Sequence, residues 1–189
     1  MWKTGSAALL LVAAAFPCLS PETSAASAGP PPARTGGFGE MTCHECHWEN
    51  PLNEPPGLLT LSGIPSTYAP GEAYTITVSV AHPEAKQAGF ELSARMGGTI
   101  SAGTTAGQLR ATDSLTRVVH EKGIAYVSQT EAGSKAITAH AGRWTFEWTA
   151  PSSAEPVVFH AAANAANGDA SPLGDHIYTA AVTSTARRP

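Results

Sequence analysis

Two cysteines and a histidine stand at a spacing suited to covalent attachment of a cofactor. Residues Cys43, His44, Glu45, Cys46 and His47 form a C-x-x-C-H pattern, which is typical of c-type haem attachment. In that chemistry the two thiols add across the vinyl groups of the porphyrin, and the imidazole that follows them ligates the iron. The pattern therefore predicts one covalently bound haem c per chain, with His47 as the proximal ligand.

The same two thiols allow a second interpretation. In an oxidising compartment, two cysteines three positions apart are either joined to each other or taken by a cofactor. A local Cys43–Cys46 disulfide, in a secreted structural or adhesion module without haem, is therefore the alternative hypothesis. A zinc site is disfavoured because it needs four ligands, and no second Cys/His pair stands at ligand spacing.

The direction of the chain limits which residues can supply the sixth iron ligand. If 58–62 is the first strand of a sandwich, the haem segment lies where that strand begins, and the next antiparallel strand returns there at His82. The penultimate strand leads through a loop to His176, at the start of the last strand. His82 and His176 are therefore the two predicted candidates for the distal ligand, and an open or water-bound position is the other option. Met96 falls within a strand pattern and is assigned to core packing, and His160, in the middle of a predicted strand, is interpreted as a partly buried surface histidine.

Four side chains near the C-terminal end carry oxygen atoms that could bind calcium. They are Asn164, Asn167, Asp169 and Asp175. Their spacing is not that of a known calcium loop, and Asn and Asp are common in turns. The pattern therefore favours a turn-rich connection.

From Leu58 onward the apolar residues recur with a period of two, and Gly, Pro and Asn interrupt the pattern at short intervals. This pattern predicts an all-β domain, a two-sheet sandwich preceded by the haem-binding loop segment. No stretch has the length and periodicity of an ordinary helix. The predicted strands are 58–62, 74–80, 90–96, 117–121, 124–130, 144–148, 157–163 and 176–183.

The N-terminus has the features of a secretory signal peptide. Lys3 precedes an apolar run over 7–16, and small residues lead to Ala28. The protein is therefore expected to be secreted or periplasmic. Pro17 directly before Cys18 argues against lipoprotein anchoring through that thiol. The predicted organisation is a signal peptide over 1–28, a flexible Pro/Gly-rich leader over 29–39, the haem-attachment segment 40–57, the sandwich 58–184 and a tail 185–189.

Charge and composition restrict the partners. The formal net charge is −4 and charged residues make up 14% of the chain, so nucleic acid is not an expected partner. No apolar span follows the signal, so no membrane span is expected in the mature chain. No nucleophile-elbow sequence is present.

The predicted role is electron transfer with other redox proteins, through small transient contacts. A haem sensor or weak peroxidase is a further hypothesis, which would require an open sixth position on the iron.

Three stretches resemble the Reeler (reelin N-terminal-like) domain family and follow one another in the order found in that family. They are Tyr68–Val78, Ala88–Leu92 and Trp144–Pro151. With the C-x-x-C-H element and the ending over 162–178, the chain looks like the bacterial choice-of-anchor proteins of this type. The resemblance implies an immunoglobulin-like β-sandwich on the cell exterior or in the periplasm, and it implies little about function.

Overall fold

The computed structural model describes residues 27–187 of the 189-residue chain. The predicted signal peptide, apart from residues 27 and 28, and Cys18 lie outside the described residues. Within them, no helix is long and apolar enough to cross a membrane. The elements are a 3₁₀ turn Cys43–Glu45, a short helix α1 Glu131–Lys135, and strands β1 Leu58–Ser62, β2 Thr67–Tyr68, β3 Ala73–Ala81, β4 Gln87–Met96, β5 Gln108–Ala111, β6 Thr116–Glu121, β7 Ile124–Gln129, β8 Ile137–Thr138, β9 Ala141–Thr149, β10 Val157–Ala166 and β11 His176–Ala186.

The strands form two packed sheets. One has the order β1-β3-β9-β5, with β8 also paired to β9, and the other has the order β2-β11-β10-β4-β7-β6. In the described part of the chain, the pairing of β2 with β11 is parallel and the other strand pairs are antiparallel. The predicted all-β, two-sheet sandwich is therefore confirmed.

The core lies between the sheets and is built from the alternating residues of the long strands. Trp144 of β9 stacks on Phe90 of β4 with ring centroids 4.6 Å apart, and Trp148 meets Phe159 of β10 edge-on at 4.8 Å. Both indole N–H groups donate to backbone carbonyls, so burial leaves neither unsatisfied. Met96 is buried in the same core, as its place in the strand pattern predicts.

Three short strands and one short helix were not predicted from the sequence. Strands β2 and β8 have two residues each and β5 has four, too few for a period to be recognised. Helix α1 has five residues, and the Thr130 side chain caps it by accepting from the backbone N–H of Gly133. Elements of this length form because neighbouring strands and caps hold them.

Residues 29–57 form a strap that lies over the outer face of the six-stranded sheet. Thr35 is buried within it, and the backbone N–H of Arg34 donates to Glu91 of β4 at 2.6 Å. Gly37 sits directly on the His160 ring, where a Cβ would lie 2.4 Å from the ring carbon. The part over 29–39, which the sequence predicts to be a flexible leader, thus packs on the sheet through the bond of Arg34 to Glu91 and the contact of Gly37 with His160.

The last strand extends beyond its predicted end. Strand β11 runs to Ala186, and its final residues pair with Thr67 and Tyr68 of β2. The backbone N–H of Arg187 then donates to the carbonyl of Tyr68 at 2.7 Å. Thr185 and Ala186 therefore belong to β11, beyond the boundary at 184 that the sequence predicts, because their parallel partner lies far away in the sequence.

A buried ion pair holds the strap to the sheet. The Arg95 guanidinium of β4 pairs with the Glu40 carboxylate of the strap, and the side chains are only 7% and 10% exposed. The Tyr126 hydroxyl bonds to both groups, and the guanidinium also lies over the Phe38 ring at 5.4 Å. Removing either charge would leave the other buried without an opposite charge, which is the costly case for such pairs.

We expect Arg95→Ala to lower the free energy of unfolding by about 3 kcal/mol, because Glu40 would keep its charge in a buried place. Arg110→Ala is the control, since Arg110 pairs with Glu147 at the surface and exposed pairs contribute about 1 kcal/mol or less. Urea denaturation of both variants measures the difference. Equal losses would contradict the role assigned to the buried pair.

Candidate functional site

The C-x-x-C-H residues form a compact turn. The Thr42 hydroxyl accepts from the backbone N–H of His44 at 3.1 Å. The backbone N–H groups of Cys46 and His47 both donate to the carbonyl of Cys43, at 3.2 and 3.1 Å. Because the turn satisfies its own backbone groups, the spacing of the two thiols and the imidazole is fixed locally.

Contacts on the C-terminal side of the turn place it at one end of the six-stranded sheet. The His44 ring bonds to the carbonyl of Asn50 at 2.9 Å. The Asn50 amide donates to the carbonyl of Asp175 at 3.1 Å, and the backbone N–H of Gly174 donates to the Glu49 carboxylate at 2.6 Å. The turn therefore lies where β10 leads into β11.

The His47 imidazole is held by a buried carboxylate. Its Nδ1 lies 2.8 Å from Asp175 Oδ2, and Asp175 is only 2% exposed. The Asp175 carboxylate also accepts from the Asn164 side chain at 2.8 Å and from the backbone N–H of Asn167 at 3.0 Å. Nδ1 is thereby occupied, so Nε2 is the nitrogen that His47 offers to a metal.

The oxygen-rich loop after β10 uses its side chains to build turns. Asn167 Oδ1 accepts from the backbone N–H of Asp169 at 3.0 Å, and Asp169 Oδ1 accepts from Ser171 at 2.8 Å. Asp175 is committed to the contacts given above. The arrangement fits the turn-rich connection favoured by the sequence.

The two thiols have different surroundings. Cys46 is exposed, Cys43 is partly exposed as a residue, and both are free. Burial of the Cys43 thiol raises its pKa to about 12, and the nearby Glu91 carboxylate adds to the shift. Since the thiolate is the reactive form, Cys43 is the less reactive thiol of the folded chain.

Glu91 lies in the sheet beneath the strap and was missed by the sequence analysis. It alternates with Phe90 and Leu92, a pattern that predicts a solvent-facing side chain. It is instead fully buried, and its Oε1 has no hydrogen-bond partner. Burial raises the pKa of the Glu91 carboxyl to about 7, although the backbone N–H of Arg34 opposes the shift.

His82 and His176 meet at the same end of the sandwich, as the chain direction predicts. Their rings stack with centroids 3.7 Å apart and an interplanar angle of 26°. Burial, and then the neighbouring His176, lower the pKa of His82. The two rings contact each other, so they do not ligate opposite faces of one porphyrin, and at most one of them could be the distal partner of His47.

Two carboxylates that the sequence analysis did not identify lie beside this histidine pair. Glu84 Oε2 is 3.5 Å from His176 Nε2, and Glu54 Oε2 is 3.9 Å from His176 Nδ1. Glu54 belongs to the strap, and Glu84 follows β3. No local pattern joins these residues, because they come together only when the strap and the two sheets are assembled.

Large apolar side chains are exposed around the C-x-x-C-H turn. Trp48, directly after His47, is 63% exposed, and Met41 before the turn is 52% exposed. Exposed apolar side chains close to the turn in sequence are suited to contact with an apolar ligand or partner. In the described part of the chain, those at 38–58 are Phe38, Met41, Trp48, Leu52 and Leu58.

Comparisons with known proteins find similar folds. The reelin-N domain of F-spondin matches with a TM-score of 0.48 and 18% identity over 77% of this chain and 97% of that chain. The human F-spondin reeler domain matches with a TM-score of 0.46 and 20% identity, over 72% of this chain and 95% of that chain. AvmM, which catalyses macrocyclization in alchivemycin A biosynthesis, matches with a TM-score of 0.47 and 11% identity, over 73% of this chain and 92% of that chain.

No protein-family model matches the chain, and no curated protein matches it. The structural neighbours include Reeler domains, the family that the sequence resembles. The assignment of a two-sheet sandwich is based on the strand pairing of this chain. At these identities the likeness is one of fold alone and carries no information about function.

The raised pKa of Glu91 makes the free energy of unfolding depend on pH. Between about pH 4.5 and 7 the unfolded chain loses this proton while the folded chain keeps it, so stability falls as pH rises, by up to about 3 kcal/mol. We expect Glu91→Gln to remove this loss, so that the variant becomes the more stable protein above pH 7. Urea denaturation at a series of pH values tests this, with exposed Glu131→Gln as the control. Parallel profiles for Glu91→Gln and the parent chain would contradict it.

Proposed function

We propose that this chain is an exported monohaem c-type cytochrome-like protein that transfers electrons, acting in the periplasm or outside the cell. Cys43 and Cys46 would hold haem c covalently, and His47 would ligate its iron. When bound, the haem supplies an iron that changes between two oxidation states. The observation that carries the proposal is the position of the His47 ring, whose Nδ1 lies 2.8 Å from the buried Asp175 carboxylate.

That contact is the arrangement expected of a metal ligand. A histidine that ligates a metal usually donates its other ring N–H to a carboxylate or carbonyl, which fixes the tautomer and the ring orientation. Here Nδ1 faces Asp175, and Asp175 is itself held by Asn164 and Asn167. His47 therefore presents Nε2 in one orientation, immediately after the two thiols.

The strap holds this ligand in place from both sides. Before the turn, Glu40 is fixed to Arg95 and Tyr126. After it, Asn53 Oδ1 accepts from the backbone N–H of Thr179 of β11 at 2.7 Å. A ligand whose support does not move suits an electron carrier, since site geometry is best held by packed and hydrogen-bonded neighbours.

The thiol environments indicate when attachment would occur. The Cys43 thiol is buried and its raised pKa makes it a poor nucleophile, whereas Cys46 is exposed. We therefore place thioether formation at Cys43 before the strap closes on the sheet. Once formed, the thioether carries no titratable proton, so the unfavourable proximity of a Cys43 thiolate to Glu91 is removed.

The surroundings of the turn suit a planar apolar group. Trp48, Met41 and Leu52 are exposed near the proposed attachment residues, and the apolar part of a porphyrin would cover such side chains. Redox protein partners would then meet the site through a small, transient contact. His82 and His176 stay the predicted candidates for the sixth ligand.

The test of the proposal is a pyridine haemochrome spectrum of the full chain, produced with a c-type maturation system and then denatured. We expect haem to stay with the polypeptide and to give a c-type band. Cys43→Ala and Cys46→Ala should each weaken covalent retention, and His47→Ala should change the spectrum of the folded protein. His44→Ala is the matched control from the same turn. A colourless protein without free thiols would overturn the proposal and support the disulfide-bearing module.

Asp175→Asn tests the observation on which the proposal depends. The carboxylate makes the His47 imidazole a stronger electron donor and stabilises the more positive, oxidised iron. We therefore expect the variant to have a higher midpoint reduction potential in a spectroscopic redox titration. Asp169→Asn, in the same loop, is the control and should leave the potential unchanged. An unchanged or lower potential for Asp175→Asn would contradict the role of this carboxylate.

A further inference from the structure

The stacked histidines lie where the two sheets meet at one end of the sandwich. His82 follows β3 of the five-stranded sheet, and His176 begins β11 of the six-stranded sheet. His82 is 6% exposed, and the side chain of His176 is 12% exposed. Two imidazoles are thus held next to each other in a largely buried place, by strands that belong to different sheets.

A carboxylate completes a set of metal-ligating groups with this pair. One ligand atom each from His82, Glu84 and His176 lie within 4.8 Å of one another. The Glu84 side chain is 71% exposed, so it can move without disturbing the core. Ligands on one tetrahedral ion lie about 3.4 Å apart when the bonds are about 2.0 to 2.1 Å long. Because a ligated ion lies in the plane of each imidazole, closing the set requires one ring to turn out of the stack and Glu84 to move toward the ion.

One nitrogen in the cluster lacks a partner. His176 Nδ1 is buried and makes no hydrogen bond, and a buried polar atom of this kind is unusual enough to require an explanation. Its nearest carboxylate oxygen belongs to Glu54, at 3.9 Å. If His176 Nε2 ligates a cation, Nδ1 keeps its proton and points toward Glu54, giving the carboxylate–histidine–metal arrangement common around bound metals.

We propose that His82, Glu84 and His176 bind one divalent transition-metal ion of the zinc or copper class, with Glu54 as the partner of His176 Nδ1. Two imidazoles and one carboxylate favour such ions over calcium and magnesium, which prefer oxygen ligands. Three protein ligands leave a fourth position for water or a small ligand. The proposal does not rest on haem attachment, because none of these residues belongs to the C-x-x-C-H turn.

The test uses an untagged full chain carrying Cys43→Ser and Cys46→Ser, which removes both haem attachment and thiol ligands from the described part of the chain. Isothermal titration with zinc sulfate should show one ion bound per chain, and magnesium chloride should show no binding under the same conditions. Cobalt(II) should give the visible absorption of a low-symmetry, nitrogen- and oxygen-ligated ion.

Variants in the same background identify the ligands. His82→Ala and Glu84→Gln should each weaken zinc binding by about tenfold or more. Glu84→Gln is the more informative, because the exposed side chain is not needed for folding. His120→Ala, an exposed histidine on β6, is the matched control and should bind as the parent does.

Three results would overturn the proposal. The first is no zinc binding by the folded Cys43→Ser, Cys46→Ser chain, and the second is equal zinc affinity for Glu84→Gln, His82→Ala and the parent. The third comes from the haem-loaded protein, where a change from six-coordinate to five-coordinate iron in His82→Ala would make His82 the distal haem ligand. A negative haemochrome test leaves the zinc titration unaffected, so failure of the proposed function and failure of this inference are distinguishable.

Discussion

The buried polar layer between the strap and the six-stranded sheet is the constraint on which the rest of the structure depends. Strand β4 places Glu91, Ser93 and Arg95 on its outer face, where they are buried. Burying charges is unfavourable unless partners are supplied with good geometry. The strap supplies the Glu40 carboxylate to Arg95 and a backbone N–H to Glu91. Because these pairings are specific, the strap has one register on the sheet.

That register determines what the C-x-x-C-H turn faces. With Glu40 fixed at one side and Asn53 at the other, His47 is placed beside Asp175 at the end of β10. A shift of one residue would separate this pair and expose or unpair the groups beneath the strap. The chemistry proposed for the turn therefore depends on a buried ion pair that takes no part in it.

Two residues that are adjacent in the sequence contact different groups of side chains. Asp175 and His176 have side chains on opposite sides of the chain, as neighbours in extended backbone do. Asp175 reaches His47 of the strap on the outer face, whereas His176 stacks on His82 of the opposite sheet. One connection thus supports two groups of potential metal ligands, and Glu54 of the strap lies beside the second group.

Local sequence pattern determined the two-sheet sandwich and its core. The alternation around Trp144, Trp148 and Met96 identified buried faces, and chain direction placed His82 and His176 at one end. These inferences succeed because strand period and antiparallel return are properties of short stretches of chain. The spacing of Cys43, Cys46 and His47 is local in the same way.

Only the tertiary structure decided that residues 29–39 pack on the sheet, that Glu91 is buried and that β11 continues to Ala186. The contacts responsible join distant parts of the chain, such as Arg34 with Glu91 and His47 with Asp175. A carboxylate between two apolar residues has the sequence pattern of an exposed strand face. Whether another segment covers that face is decided by long-range pairing of buried polar groups, which no local period records.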